Sequence, residues 1–410
     1  MASWLFLLVS LIGAGFTATA CFRGWRFGPT LVPYFFAGWL TSELALLHMA
    51  WQAIATVVFI AFGALAAWPG WLGLAITLVS WAGLLSLQRG ARLSGPAFSR
   101  ALHEGLGEDF GMVAPPFPLG RIARPFRMRH AEVERIRNLA YGEAGFRNLL
   151  DVYRPKTPAQ GCPVLLQIHG GAWTVGRKDQ QGLPLMNHLA SRGWVCVAPN
   201  YRLSPRATFP DHLVDVKRAL AWVREHIREY GGDPDFVVVT GGSAGGHLAS
   251  LVALTANDPR YQPGFEDVDT SVAACVPFYG VYDFLDRHGA RGRASMRVFL
   301  ERIVMKCSPS SERERWDEAS PIARVHADAP PFFVIHGSHD SLAFVEEARH
   351  FVQALSSVSR KPVLYAEIPG AQHAFEIFHS ERCLQAVQSV TTFVEAIRAR
   401  ASHGEIRQTG

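Results

Sequence analysis

The sequence predicts an α/β fold, a mainly parallel central sheet covered by helices on both faces, preceded by an apolar helical segment. Three observations predict it. From about Val133, continuous apolar strands alternate with helix-patterned stretches, as they do where strands are buried on both faces. The first 88 residues hold only Arg23, Arg26 and Glu43 as formal charges, whereas charge density is ordinary from Arg89 onward. The run Val237-Val238-Val239-Thr240 breaks into Gly241-Gly242-Ser243-Ala244-Gly245-Gly246 and continues as a small-residue helix start, a strand–turn–helix order built around one serine.

Composition bounds the function. A chain of 410 residues has room for a large core. The net charge of +5 comes without a C-x-x-C/H-x-H pair, a basic heptad region or an RNP-like aromatic pattern. Nucleic acid is therefore not the expected partner; an anionic membrane surface is the simpler one. The six cysteines include no C-x-x-C unit and read as core fillers or free thiols, in keeping with a reducing compartment.

Residues 1–92 read as a transmembrane helical segment of about three spans. Trp4–Phe22 is uncharged and about as long as a bilayer core requires, with a cleaved leader ending at Ala18-Thr19-Ala20 as the alternative. Residues 44–88 carry no charge and are interrupted by Pro69-Gly70, which predicts a hairpin of helices over 45–67 and 71–88. Phe27–Ser42, with Pro29, Pro33 and Gly38, reads as an interfacial or re-entrant piece. Three spans place Arg23 and Arg26 on the side of Arg89, Arg92 and Arg100. The positive-inside rule assigns that side to the cytoplasm, giving a multi-pass cell-membrane protein with a cytoplasmic domain.

Residues 93–129 read as a Pro/Gly-rich basic linker. It contains Ala114–Pro118 and the cluster Arg121, Arg124, Arg127 and Arg129, which either attracts anionic lipid or forms an ordinary solvated face. The globular domain spans 130–400. Val133–Ala140 and Asn148–Tyr153 bracket two glycines as an antiparallel hairpin, and Val164–Ile168 and Trp194–Ala198 follow as buried strands around a helix near Leu183–Ser191. Leu213, Val216, Leu220, Val223 and Ile227 recur at helical steps between Pro210-Asp211 and Gly231-Gly232. Strands at Val272–Val276, Phe332–Ile335 and Val363–Ile368 and helices at Val345–Leu355 and Leu384–Arg398 complete the pattern.

A serine hydroxyl becomes nucleophilic only when a base takes its proton, and a carboxylate must orient that base. Gly241, Ser243 and Gly245 fit a G-x-S-x-G elbow, whose glycines permit the sharp turn. After Ser243, the strand at Phe332–Ile335 runs into His336-Gly337-Ser338-His339-Asp340, and the strand at Val363–Ile368 into Pro369-Gly370-Ala371-Gln372-His373. Both lie at the carboxyl ends of strands, where the elbow also projects. Asp340 is the expected acid and His373 the expected base. Asp283 is the rival acid, and His336, His339 and His379 are the rival bases. The oxyanion hole is expected from the N–H of Ala244 and from Gly170 and Gly171 in the loop Ile168-His169-Gly170-Gly171-Ala172-Trp173.

These motifs, with Asn200-Tyr201-Arg202-Leu203-Ser204-Pro205, Phe209-Pro210-Asp211, Asp215 and Tyr230-Gly231-Gly232-Asp233-Pro234, resemble the hormone-sensitive-lipase-like carboxylesterase branch of the α/β-hydrolase fold. Gly242 stands where that branch usually has an acidic residue, His247 where it has asparagine, and Ala172 where a third glycine is usual. The sequence is similar also to prenylcysteine methylesterases and to formamidases of the branch. The resemblance implies hydrolysis of carboxylic esters through an acyl-Ser243 intermediate, with no metal or organic cofactor. Residues 283–330 form an insertion where such enzymes carry a lid, and His247 is expected to pack rather than react. The substrate expected is a small-molecule or lipid ester. An amidase, and a binding protein on a hydrolase scaffold, are the alternatives.

Overall fold

Eight strands form one sheet in the order β1 (Val133–Ala140), β2 (Leu149–Pro155), β4 (Val195–Pro199), β3 (Cys162–Ile168), β5 (Gly232–Gly242), β6 (Ala274–Phe278), β7 (Phe332–Gly337) and β8 (Val363–Ile368). The pairs β1/β2 and β2/β4 are antiparallel and the rest are parallel. The structure is a computed structural model describing residues 1–22, 30–107, 119–157, 159–291 and 295–408. Arg23 and Arg26, on which the topology reading leaned, and the Ala114–Pro118 run lie outside the described residues.

Alternation along the strands builds two apolar layers. Val164, Leu166 and Ile168 face one core with α7 (Asp211–His226), α8 (Ala244–Leu254) and α9 (Val345–Val358). Leu165, Cys196 and Val238 face the other, with α6 (Leu183–Ala190) and α10 (Glu381–Gln408). The second layer also contains α5 (Ser94–Leu106), a helix where the sequence predicts the start of a linker over 93–129. Its Phe98, Ala101, Leu102 and Leu106 are buried at helical spacing against the sheet. Pro96 falls in its first turn, where the missing N–H breaks no bond.

Before α5 come α1 (Ala2–Cys21), α2 (Leu31–Glu43), α3 (Ala45–Ala61) and α4 (Trp68–Arg92). Among the described residues, Ala2–Cys21 and Trp68–Leu106 are long and apolar enough to cross a membrane, and α2 with α3, bent by 90°, makes a third candidate. The turn between α3 and α4 lies earlier than expected, at Gly63 (φ 75°), and Pro69 sits inside the first turn of α4. The packing of α1 on α4 is inverted relative to a water-soluble pair. Ser10, Gly13, Thr17, Gly73, Thr77 and Ser80 are buried, while Leu8, Leu11, Ile12, Leu78 and Val79 are exposed. Thr17 and Ser80 share a hydrogen bond of 2.7 Å, and Thr77 donates to Ser10 at 2.9 Å. Gly83 permits this approach, since a Cβ there would meet Thr17 Cγ2 at 2.7 Å.

Candidate active site

The predicted nucleophile lies between β5 and α8 with φ 59° and ψ −121°, a left-handed conformation that costs a serine roughly 1–3 kcal/mol and marks an imposed turn. Its N–H donates to Phe278 O at 3.0 Å, tying the elbow to the end of β6. The glycines permit the crowding: a Cβ on Gly246 would stand 2.7 Å from Phe278 O.

Asp340 and His373 come together from the turns after β7 and β8. His373 Nδ1 lies 2.7 Å from Asp340 Oδ2, with both side chains buried. The N–H groups of Leu342 and Ala343 each donate to Asp340 Oδ1 at 2.8 Å. Burial pushes the Asp340 carboxyl up, but His373 and His336 outweigh it and hold the group well below the ordinary carboxylate range. An ionised Asp340 keeps the imidazole proton on Nδ1 and leaves the Nε2 lone pair available as a base.

The rivals have other surroundings. Asp283 pairs with Arg287 and accepts the N–H groups of Leu285 and Arg287. His336 directs Nε2 to Ala343 O at 2.8 Å and stands 3.4 Å from Asp340 Oδ2, the same oxygen that meets His373 Nδ1. His379 lines a separate cleft with Arg121, Arg124, Arg127 and Arg129. His247 accepts from Trp173 Nε1 at 3.2 Å, which places its own proton on Nε2 toward Ala319 O at 2.8 Å; burial lowers it to about 3 and keeps it neutral.

The glycine loop after β3 packs against the elbow. A Cβ on Gly170 would meet Gly242 O at 2.5 Å and Ser243 Cβ at 3.1 Å, so only glycine lets the strands' two turns approach. The Gly170 N–H, expected in the oxyanion hole, instead donates to Gln181 Oε1 at 2.6 Å. Among the described residues, the N–H groups of Gly171 and Ala244 donate to no protein acceptor. Gln181 was not read from sequence, because its role follows from folding of the loop and not from spacing.

Two further groups were missed. Tyr279, at the end of β6, sets its ring centroid 4.4 Å from that of His373 and donates its hydroxyl to the buried Glu376 carboxylate. A Cβ on Gly242 would lie 2.7 Å from that hydroxyl, so this glycine makes room for the tyrosine. Phe35, on α2, stands edge-on to His373 with centroids 6.1 Å apart. No local sequence pattern announced either: Tyr279 meets Glu376 across 97 positions, and Phe35 reaches His373 from the apolar segment.

The 283–330 insertion is packed down at its base. Leu300, Val304 and Met305 are buried, Phe209 N–H donates to Val304 O at 3.1 Å, and Arg291 forms a buried ion pair with Glu347. Phe284 stacks edge-on to Trp173 of the glycine loop at 5.2 Å.

A serine elbow at the carboxyl end of a central parallel strand, followed in chain order by a carboxylate after β7 and a histidine after β8, is the arrangement of the α/β-hydrolase fold. Residues 150–355 match the BD-FAE family model, and the chain belongs to that family. It is 49% identical over 333 residues to a protein called probable carboxylic ester hydrolase LipM from Mycobacterium tuberculosis, covering 78% of this chain and 77% of that one. It is 30% identical over 241 residues, 56% of this chain and 55% of the other, to isoprenylcysteine alpha-carbonyl methylesterase ICME of Arabidopsis thaliana. A solved carbohydrate esterase from gut microbiota shares the fold, with a TM-score of 0.57 at 22% identity over 66% of this chain and 99% of that one. The resemblance read from the motifs thus holds.

Proposed function

We propose that this protein is a membrane-anchored serine carboxylesterase acting on hydrophobic esters. The observation that carries this reading is the buried His373–Asp340 pair following, in hydrolase order, an elbow serine held at positive φ. His373 Nε2 takes the Ser243 proton as Oγ attacks the ester carbonyl. The N–H groups of Gly171 and Ala244 receive the oxyanion, and Gly170 holds the loop against the elbow. The C–O bond breaks, the alcohol leaves with the proton from His373, and His373 then activates water to release the acid and free Ser243.

The inverted seam between α1 and α4 supports membrane anchoring, because apolar side chains turned outward are stable in lipid and costly in water. We assign α1, α3 and α4 to a multi-pass segment, with α2 at its interface with the hydrolase domain on the cytoplasmic side. Arg121, Arg124, Arg127 and Arg129 line one cleft with His130 and His379, a basic surface suited to anionic headgroups. A lipid-phase ester is then the natural substrate, concentrated where the enzyme is held; the insertion at 283–330 forms a cover on the Phe284 side. The likeness to the plant methylesterase favours a prenylcysteine-type methyl ester as the second reading.

A fluorophosphonate probe and a panel of p-nitrophenyl esters and anilides test this together. The expected result is a covalent adduct at Ser243, absent in Ser243→Ala, and hydrolysis of esters that rises with acyl length. Absence of the adduct in folded protein makes the chain a binding scaffold, and faster turnover of anilides makes it an amidase.

A further inference from the structure

The apolar segment does more in this structure than precede the hydrolase domain: one of its helices enters the predicted site. Phe35 is buried in the same core as Tyr279, Ala374 and Phe375, and its ring stands edge-on to the His373 imidazole at 6.1 Å. One helical turn on, Trp39 donates its indole Nε1–H to the carbonyl oxygen of Ala374, next to His373, at 2.9 Å, and its ring lies 5.2 Å from Phe378. At the end of the helix, Glu43 pairs with Arg382 at 2.9 Å and accepts from Ser380 Oγ at 2.8 Å, all three side chains being buried. On the other side, α2 rests on α1 at Gly38, where a Cβ would stand 2.8 Å from Thr19 O. The helix is therefore held from its middle to its C-terminal end. Its outward face carries Val32 and Phe36, which are exposed.

A helix apolar on both faces, one turned to the imidazole and the other outward, is a partition between the reacting groups and the surroundings of the apolar segment. Resting on the hydrolase reading above, we propose that α2 is a wall of the substrate cleft and that Phe35 is a specificity-determining residue, in contact with the apolar chain of a long-chain ester held at Ser243. An acetyl group is too short to profit from that wall, whereas a dodecanoyl chain buries methylenes against it, so Phe35 contributes to the preference between the two and not to proton transfer.

The test uses the full-length protein in detergent micelles, with p-nitrophenyl dodecanoate and acetate as substrates and thermal unfolding as the check on folding. In Phe35→Ala the ratio of kcat/KM for dodecanoate over acetate falls by about tenfold, the change residing mainly in KM, as expected for loss of one to two buried methylene contacts. Phe35→Leu, which retains most of the buried volume, shifts the ratio the same way by about threefold and serves where the alanine variant fails to fold. If the wild-type enzyme hydrolyses both esters and the ratio is unchanged in a folded Phe35 variant, the wall is overturned while the hydrolase reading stands. A wild-type protein that turns over neither ester overturns both.

Discussion

At the scale of single residues, the carboxyl of Glu376 sets the pH behaviour of the site's surroundings. Burial pushes it up to about 7 against the opposing hydrogen bond from Tyr279, and the nearby Glu43 adds to the rise. The folded protein thus keeps a proton that an unfolded chain releases near pH 4.3, so stability falls as pH rises from about 4.3 to 7 and the penalty is complete above that window. Glu376→Gln removes this dependence. Its melting temperature relative to wild type is expected to climb between pH 5 and pH 8, and a difference that stays flat across that range contradicts the assignment. Tyr279 and Glu376 were illegible in sequence because they meet across 97 positions and belong to no local pattern. Ser243, Asp340 and His373 were legible for the opposite reason: each sits in a short turn after a strand, where glycines and chain order carry the information. Gly170 shows the limit of such reading, since its loop lies against the elbow as the motif implies, and spacing could not tell which N–H Gln181 would take.

At the scale of elements, α5 shows how small residues can disguise a helix. Gly95, Pro96 and Gly105 look like breakers, yet Pro96 is harmless in the first turn and Gly105 is where the helix comes closest to the sheet. A Cβ on Gly105 would collide with the Leu364 side chain on β8, whereas one on Gly95 would meet Gln385 at an ordinary 3.8 Å. Gly105→Val should therefore overpack the contact at a cost of about 1–3 kcal/mol, lowering the melting temperature by about 2–5 °C. Gly95→Ala should hold or raise it, because alanine is favoured over glycine inside a helix by about 1 kcal/mol. Equal effects of the two substitutions in a thermal melt would remove the packing argument. The strands were easier to read, as buried β-branched runs such as Val237–Val239 admit little else. The helix α2 was not, because Pro33 and Gly38 hid its continuity and its partners lie in the turn after β8.

At the scale of the whole molecule, the buried pair Glu43–Arg382 joins the apolar segment to the hydrolase domain. If that segment were a tether only, the stability of the domain would not depend on position 43. The geometry argues otherwise: Arg382 is buried, its Nη1 reaches Glu43 at 2.9 Å, and its Nη2 donates to Pro369 O at 3.2 Å beside the turn that carries His373. Glu43→Gln leaves the guanidinium without its counter-charge in a site closed to water, which costs about 3–5 kcal/mol, whereas replacing both partners by apolar groups costs far less. Thermal unfolding of the full-length protein should place Glu43→Gln well below wild type and the double variant Glu43→Leu/Arg382→Met between the two. A double variant as unstable as the sum of Glu43→Leu and Arg382→Met measured singly would mean that the two groups act independently, and the segment and the domain would then be neighbours without being coupled.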